Sequence, residues 1–149
     1  MFQRNTKGLD AGQIQGCQQA WELLGGNRFA QLNVTDAHKH CSTTCYIEGK
    51  SVVRLGADVY PGTGIDANAR LSMLACLAHE LSHAERYTRD FRRPTELPDM
   101  LLDEAETSIH AAFYPVLSAQ DRQDLVEDAR DRLNLWLRIN YEEADDEKS

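Results

Sequence analysis

The sequence predicts a small α+β domain, and three observations predict it. Four windows carry apolar residues at helical spacing. Between the first two, Tyr46-Ile47-Glu48 and Ser51-Val52-Val53-Arg54-Leu55 read as short strands joined by Gly49-Lys50. The 149 residues contain no internal repeat or low-complexity linker, so one domain is expected over 1–141, with 142–149 a frayed acidic tail. A chain of this length buries roughly two-thirds of its unfolded surface, so it needs neither disulfide nor metal merely to fold.

Asp10 is a good N-cap, and Ile14, Cys17, Trp21 and Leu24 follow at helical spacing until Gly25-Gly26 stops the helix. Residues 27–44 give no clear pattern. The two strands come next, as a hairpin or small antiparallel sheet. Gly56 to Ile65, with three Gly and a Pro, reads as a loop. Asp66 then caps a long helix over 67–88. Leu71, Met73, Leu74, Leu77 and Leu81, with five alanines among them, make it apolar around much of its surface, so it should be buried. Pro94 and Pro98 bracket a loop. A third helix over 99–113 ends before Pro115, and Ser118 caps a fourth over 119–140. Cys17, Cys76, Trp21 and Trp136 fall at core positions.

The net charge is −8, and it is unevenly placed. Residues 1–102 balance, whereas residues 103–149 hold thirteen Asp and Glu against five Lys and Arg. Without a basic face, nucleic acid is not an expected partner. No apolar run approaches the ~18–20 residues of a membrane span, and the N-terminus lacks the apolar stretch of a signal peptide. A cytoplasmic protein with reduced thiols is expected.

The segment that carries chemistry is His79-Glu80-Leu81-Ser82-His83, an H-E-x-x-H on the long helix. Residues four apart share a helix face, so His79 and His83 can bind one Zn²⁺ side by side. Glu80 sits about 100° further round, where it can reach a water without being a ligand. A catalytic zinc usually takes three protein ligands. The next helix offers Asp103, Glu104, Glu106 and His110.

This pattern resembles the gluzincin branch of the zincin metallopeptidases, which place H-E-x-x-H on one helix and a ligand Glu on a following one. Asp103-Glu104-Ala105-Glu106-Thr107-Ser108 is similar in part to their second motif, N-E-x-x-S-D. The run Glu104 to Ala112 also resembles the second helix of small ImmA/IrrE-type peptidases. Both resemblances, which cover roughly residues 45–115, imply a minimal zincin-like fold with Glu104 as third ligand. The family position that often holds an Asp to orient a ligand His is Ser108 here, so Asp103 or Ser108 takes that role. The family's transition-state donors have no clear equivalent; His110, Tyr87, Tyr60 and Tyr114 are candidates.

The expected function is therefore hydrolysis of peptide bonds in a protein or peptide substrate by one catalytic zinc. His79, His83 and Glu104 would be ligands, Glu80 the base, and Ser51–Leu55 the edge along which substrate lies. A regulatory partner protein would fit so small a catalytic core. The alternatives are a non-catalytic zinc-stabilised interaction module and, on the Cys preceding the motif, a peptide-deformylase-like amide hydrolase. His38, His40, Cys41 and Cys45 cluster four potential ligands in eight residues, where a second, structural ion is conceivable. Arg86, Arg89, Arg92 and Arg93 form a basic cluster, read mainly as a solvated helix end, with the acidic tail as an alternative partner.

Overall fold

The computed structural model describes residues 3–148, and the side chains of 143–145, 147 and 148 lie outside the description. Helix α1 (Ala11–Leu23) begins in a capping box: Asp10 accepts from the Gln13 amide, and the Gln13 side chain accepts from the Asp10 amide. It ends at Leu24, and Gly25 turns the chain in the left-handed region at φ 75°. Trp21 is fully buried, with Nε1 donating to the Ala30 carbonyl at 3.0 Å.

The sheet has three strands, β1 (Gln31–Asn33), β2 (Cys45–Ile47) and β3 (Val52–Arg54), in the order β1-β3-β2. β2 and β3 are the expected antiparallel pair, with Ile47 opposite Val52 and a left-handed Gly49 in the turn. β1, unseen in the sequence, pairs with β3 in parallel. The sheet is thus mixed, because β1 returns through a long connection rather than a hairpin. β3 is therefore the central strand. The expectation that Ser51–Leu55 offers a free edge is wrong: both its edges are paired, and the free edges belong to β1 and β2.

The expected helix over 67–88 is two helices, α2 (Ala67–Arg70) and α3 (Met73–Thr88). Leu71 is extended at ψ 128°, and each helix has its own N-cap: Asp66 accepts from Ala69, and Ser72 from Ala75. Apolar periodicity runs straight through the break. The capping propensity of Ser72, and its hydroxyl bond to Asp121 at 2.7 Å, decide against a continuous helix. α4 (Asp99–Ala111) follows, then α5 (Ala119–Lys148). α5 continues through 142–148, where a frayed tail was expected. Glu, Ala and Lys are good helix formers, and extending an existing helix needs no new nucleus.

The core gathers Cys17, Trp21, Val53, Leu55, Val59, Leu77, Leu81 and Leu125 between the sheet, α1, α3 and α5. Cys17 is buried as expected, whereas Cys76 faces a cavity and Trp136 is only half-buried. Among the described residues, no helix is long and apolar enough to cross a membrane.

Candidate metal centre

α3 and α4 pack face to face, and each brings one helical stripe to the contact. From α3 come His79, Ser82, His83 and Arg86; from α4 come Glu104, Thr107 and Ser108. On α4 the spacing 104, 107, 108 places all three on one face. Glu104 reaches both rings: Oε2 lies 2.9 Å from His79 Nε2, and Oε1 lies 3.1 Å from His83 Nε2. All three residues are buried, and their ligand atoms lie within 4.8 Å of one another. The other α4 candidates go elsewhere. Asp103 and Glu106 pair with Arg86, at 3.2 and 2.9 Å, and His110 pairs with Glu85 at 2.7 Å.

The hydrogen bonds behind the rings fix their tautomers. Ser108 Oγ donates to Asp128 Oδ2 at 2.6 Å, so its contact with His79 Nδ1, 2.8 Å away, must take a proton from the ring. Thr107 Oγ1 donates to the Asp103 carbonyl, accepts from Arg86 Nη1 at 2.9 Å, and lies 3.4 Å from His83 Nδ1. With its one proton spent, Thr107 can only accept from that ring. In their neutral form both imidazoles therefore present an Nε2 lone pair to the Glu104 carboxylate, whereas a doubly protonated His79 ring donates to it across the 2.9 Å contact. Three converging lone-pair donors repel one another unless a cation sits among them. On His83 Nε2 a proton would be poorly served: the atom is buried and has no aligned hydrogen-bond partner despite its proximity to Glu104. A shared metal ion answers that geometry.

Burial alone would raise the Glu104 pKa; with the rings protonated, hydrogen bonds and charge from His79 and His83 outweigh it and hold the carboxyl well below the usual range. Arg93 Nη2 also bonds Oε1 at 2.6 Å, and Arg132 Nη1 approaches Oε2 at 3.5 Å. The arginine cluster past the motif is thus a solvated helix end only at Arg89 and Arg92, which are exposed. Arg86 is buried against α4, Arg93 reaches Glu104, and Arg92 lies over the Tyr87 ring at 4.0 Å.

Beside the triad lies a cavity of about 140 Å³. His79, Glu80, Glu104, Cys76, Arg4 and Arg132 are among its walls. Glu80 accepts the Tyr46 amide on Oε2 at 2.7 Å, which ties it to the free edge of β2. Burial pushes the Glu80 pKa up, and the nearby His83 and Glu104 charges act in opposite directions on it. Cys76 is likewise pushed up to about 12 by burial. Arg4 is anchored by the carbonyls of Asp58, Val59, Asn68 and Leu71, which pin the N-terminal segment beside the cavity.

None of the four expected transition-state donors lines this cavity. His110 and Tyr114 both bond Glu85 Oε2, Tyr60 is paired with Cys17, and Tyr87 lies under Arg92. Thr107, Asp128, Arg132 and Arg4 were not anticipated, and Arg93 was noted only as one of the basic cluster; of the four, only Thr107, at i+3 from Glu104, had a signal in the spacing. Among the described residues, His38, His40, Cys41 and Cys45 form no group that would hold a second ion, and all four cysteines are free. Compared with protein-family models, curated proteins and solved structures, the chain finds no match in any of the three.

Proposed function

We propose that this chain is a zinc-dependent peptidase of the zincin type, with His79, His83 and Glu104 as ligands and Glu80 as general base. One observation carries the reading. Two imidazoles in the ligand tautomer and a carboxylate converge beside a cavity into which Glu80 also opens. Two nitrogens and one oxygen suit Zn²⁺ and leave a fourth position. Zinc, when bound, would polarise the scissile carbonyl and make water more acidic.

The chain's own residues supply the rest. Glu80 takes the proton of the attacking water as the oxygen bonds to the carbonyl carbon. It then delivers that proton to the amide nitrogen as the C–N bond breaks, leaving a carboxylic acid and an amine. A carboxylate whose pKa is raised by burial is a stronger base than a free glutamate, and its acid form holds the proton longer. The Tyr46 amide holds Glu80 towards the cavity.

Glu80→Gln tests the reading. The variant is expected to bind zinc at one equivalent, melt like the wild type and lose cleavage of a peptide library by at least 10²-fold. Equal cleavage by the variant would refute the peptidase. Retained biological activity without cleavage would favour a zinc-stabilised interaction module instead.

A further inference from the structure

Resting on that reading, we propose that Arg132 of α5 is its missing transition-state donor, held in place by Asp128. Two guanidinium groups line the cavity, Arg4 and Arg132. Arg4 is spent on the chain itself, with its Nε, Nη1 and Nη2 all donating to backbone carbonyls. Arg132 is not. Its Nε is bonded to Asp128 Oδ2 at 3.0 Å, and among the described residues its Nη groups make no hydrogen bond. Nη1 only approaches Glu104 Oε2, at 3.5 Å. Free donors one contact away from a ligand oxygen, on the cavity wall, are placed to meet negative charge that develops on a substrate oxygen. Arg93 cannot share this role, because it does not line the cavity and its Nη2 is bound to Oε1 on the other side of Glu104.

Asp128 makes the placement rigid. It is fully buried, and its Oδ2 takes both the Ser108 hydroxyl and Arg132 Nε. One carboxylate therefore orients a ligand ring, through Ser108 and His79, and the oxyanion donor, directly. Asp128 and Ser108 are positioning residues; Arg132 touches the reacting oxygen.

The test uses the full-length zinc-loaded protein with inorganic phosphate as the oxyanion probe, read by calorimetry at fixed ionic strength. Arg132→Ala is expected to weaken phosphate binding at least tenfold, with Arg132→Lys in between. Zinc affinity should stay equal or tighten, since a positive charge near Glu104 is removed. Ser108→Ala should do the reverse, weakening zinc and leaving phosphate affinity of the loaded protein unchanged. On a cleaved peptide, Arg132→Ala should lower kcat about 100-fold with KM within threefold. Phosphate affinity within twofold of wild type in Arg132→Ala overturns the proposal while the peptidase stands. Loss of phosphate binding in a protein that cleaves no peptide supports the oxyanion site and overturns the peptidase. Wild-type protein that takes up no zinc overturns both.

Discussion

Ser108 decides which way the His79 ring is protonated. Its hydroxyl proton goes to Asp128, so the ring must donate through Nδ1, which leaves Nε2, facing Glu104, as the atom available to a metal. Outer-shell partners of this kind typically contribute 10–100-fold in metal affinity. Ser108→Ala should therefore raise the zinc Kd by about 10–100-fold in a chelator competition, whereas Ser118→Ala, remote from the site, should leave it unchanged. Glu85 gives a second residue-scale expectation, apart from the metal. Its carboxylate accepts from His110 at 2.7 Å and Tyr114 at 2.8 Å, tying α3 to α4. Burial raises its pKa, but those hydrogen bonds outweigh burial and leave it below the ordinary value. A depressed carboxyl pKa stabilises the fold above the unfolded-state value, and that stability disappears as pH falls through the folded-state value. Glu85→Gln should thus lower stability at pH 7 by about 1–2 kcal/mol. The gap to wild type should close as the solution is acidified below the ordinary carboxylate range. Urea unfolding at several pH values measures this, and a gap independent of pH would count against the ion pair.

Elements show what the sequence carries and what it does not. His79, Glu80 and His83 were legible because their chemistry is local: i, i+1 and i+4 on one helix fix a geometry before any fold is known. Glu104 needed a second helix, and the spacing of α4 then made Thr107 and Ser108 neighbours of the rings. Asp128 and Arg132 were illegible. On α5 they look like one more i,i+4 ion pair, and only the packing of α5 against α4 turns that pair inward. β1 was missed for a related reason: three residues give too short an alternation, and its partner β3 lies some twenty residues on. The split of α2 from α3 was hidden by apolar periodicity, yet Ser72 marks it. Its side chain accepts from the Ala75 amide at 3.1 Å and donates to Asp121 at 2.7 Å. Ser72→Ala should remove a cap and a link to α5, destabilising the protein by about 1–2 kcal/mol in thermal or urea unfolding. Zinc affinity should stay within about threefold, because His79 lies nearly two turns beyond the frayed end.

At the scale of the whole molecule, the proposed metal centre is a junction of three helices. α3 gives two ligands, α4 the third, and α5 the buried carboxylate behind them. Without an ion, the junction buries Glu104 against the two imidazoles, with Arg93 and Arg132 as the nearby compensating charges. Arg93, partly exposed, bonds that carboxylate and Arg132 lies near it, so the helices should remain assembled without metal. Zinc should therefore stabilise a fold that already exists rather than create one. A ligand that binds only the native state adds RT ln(1 + [L]/Kd), about 2.7 kcal/mol at free zinc 100 times Kd. For a chain of this size that corresponds to a Tm rise of roughly 5–10 °C. Chelation should return the protein to the lower Tm with a cooperative transition, not to an unfolded chain. His79→Ala or His83→Ala should abolish the zinc-dependent rise. Glu80→Gln should preserve it, since Glu80 faces the cavity without being a ligand. Calorimetry of these variants with and without zinc separates the two roles without a substrate. A zinc response that survives loss of either histidine would place the metal elsewhere.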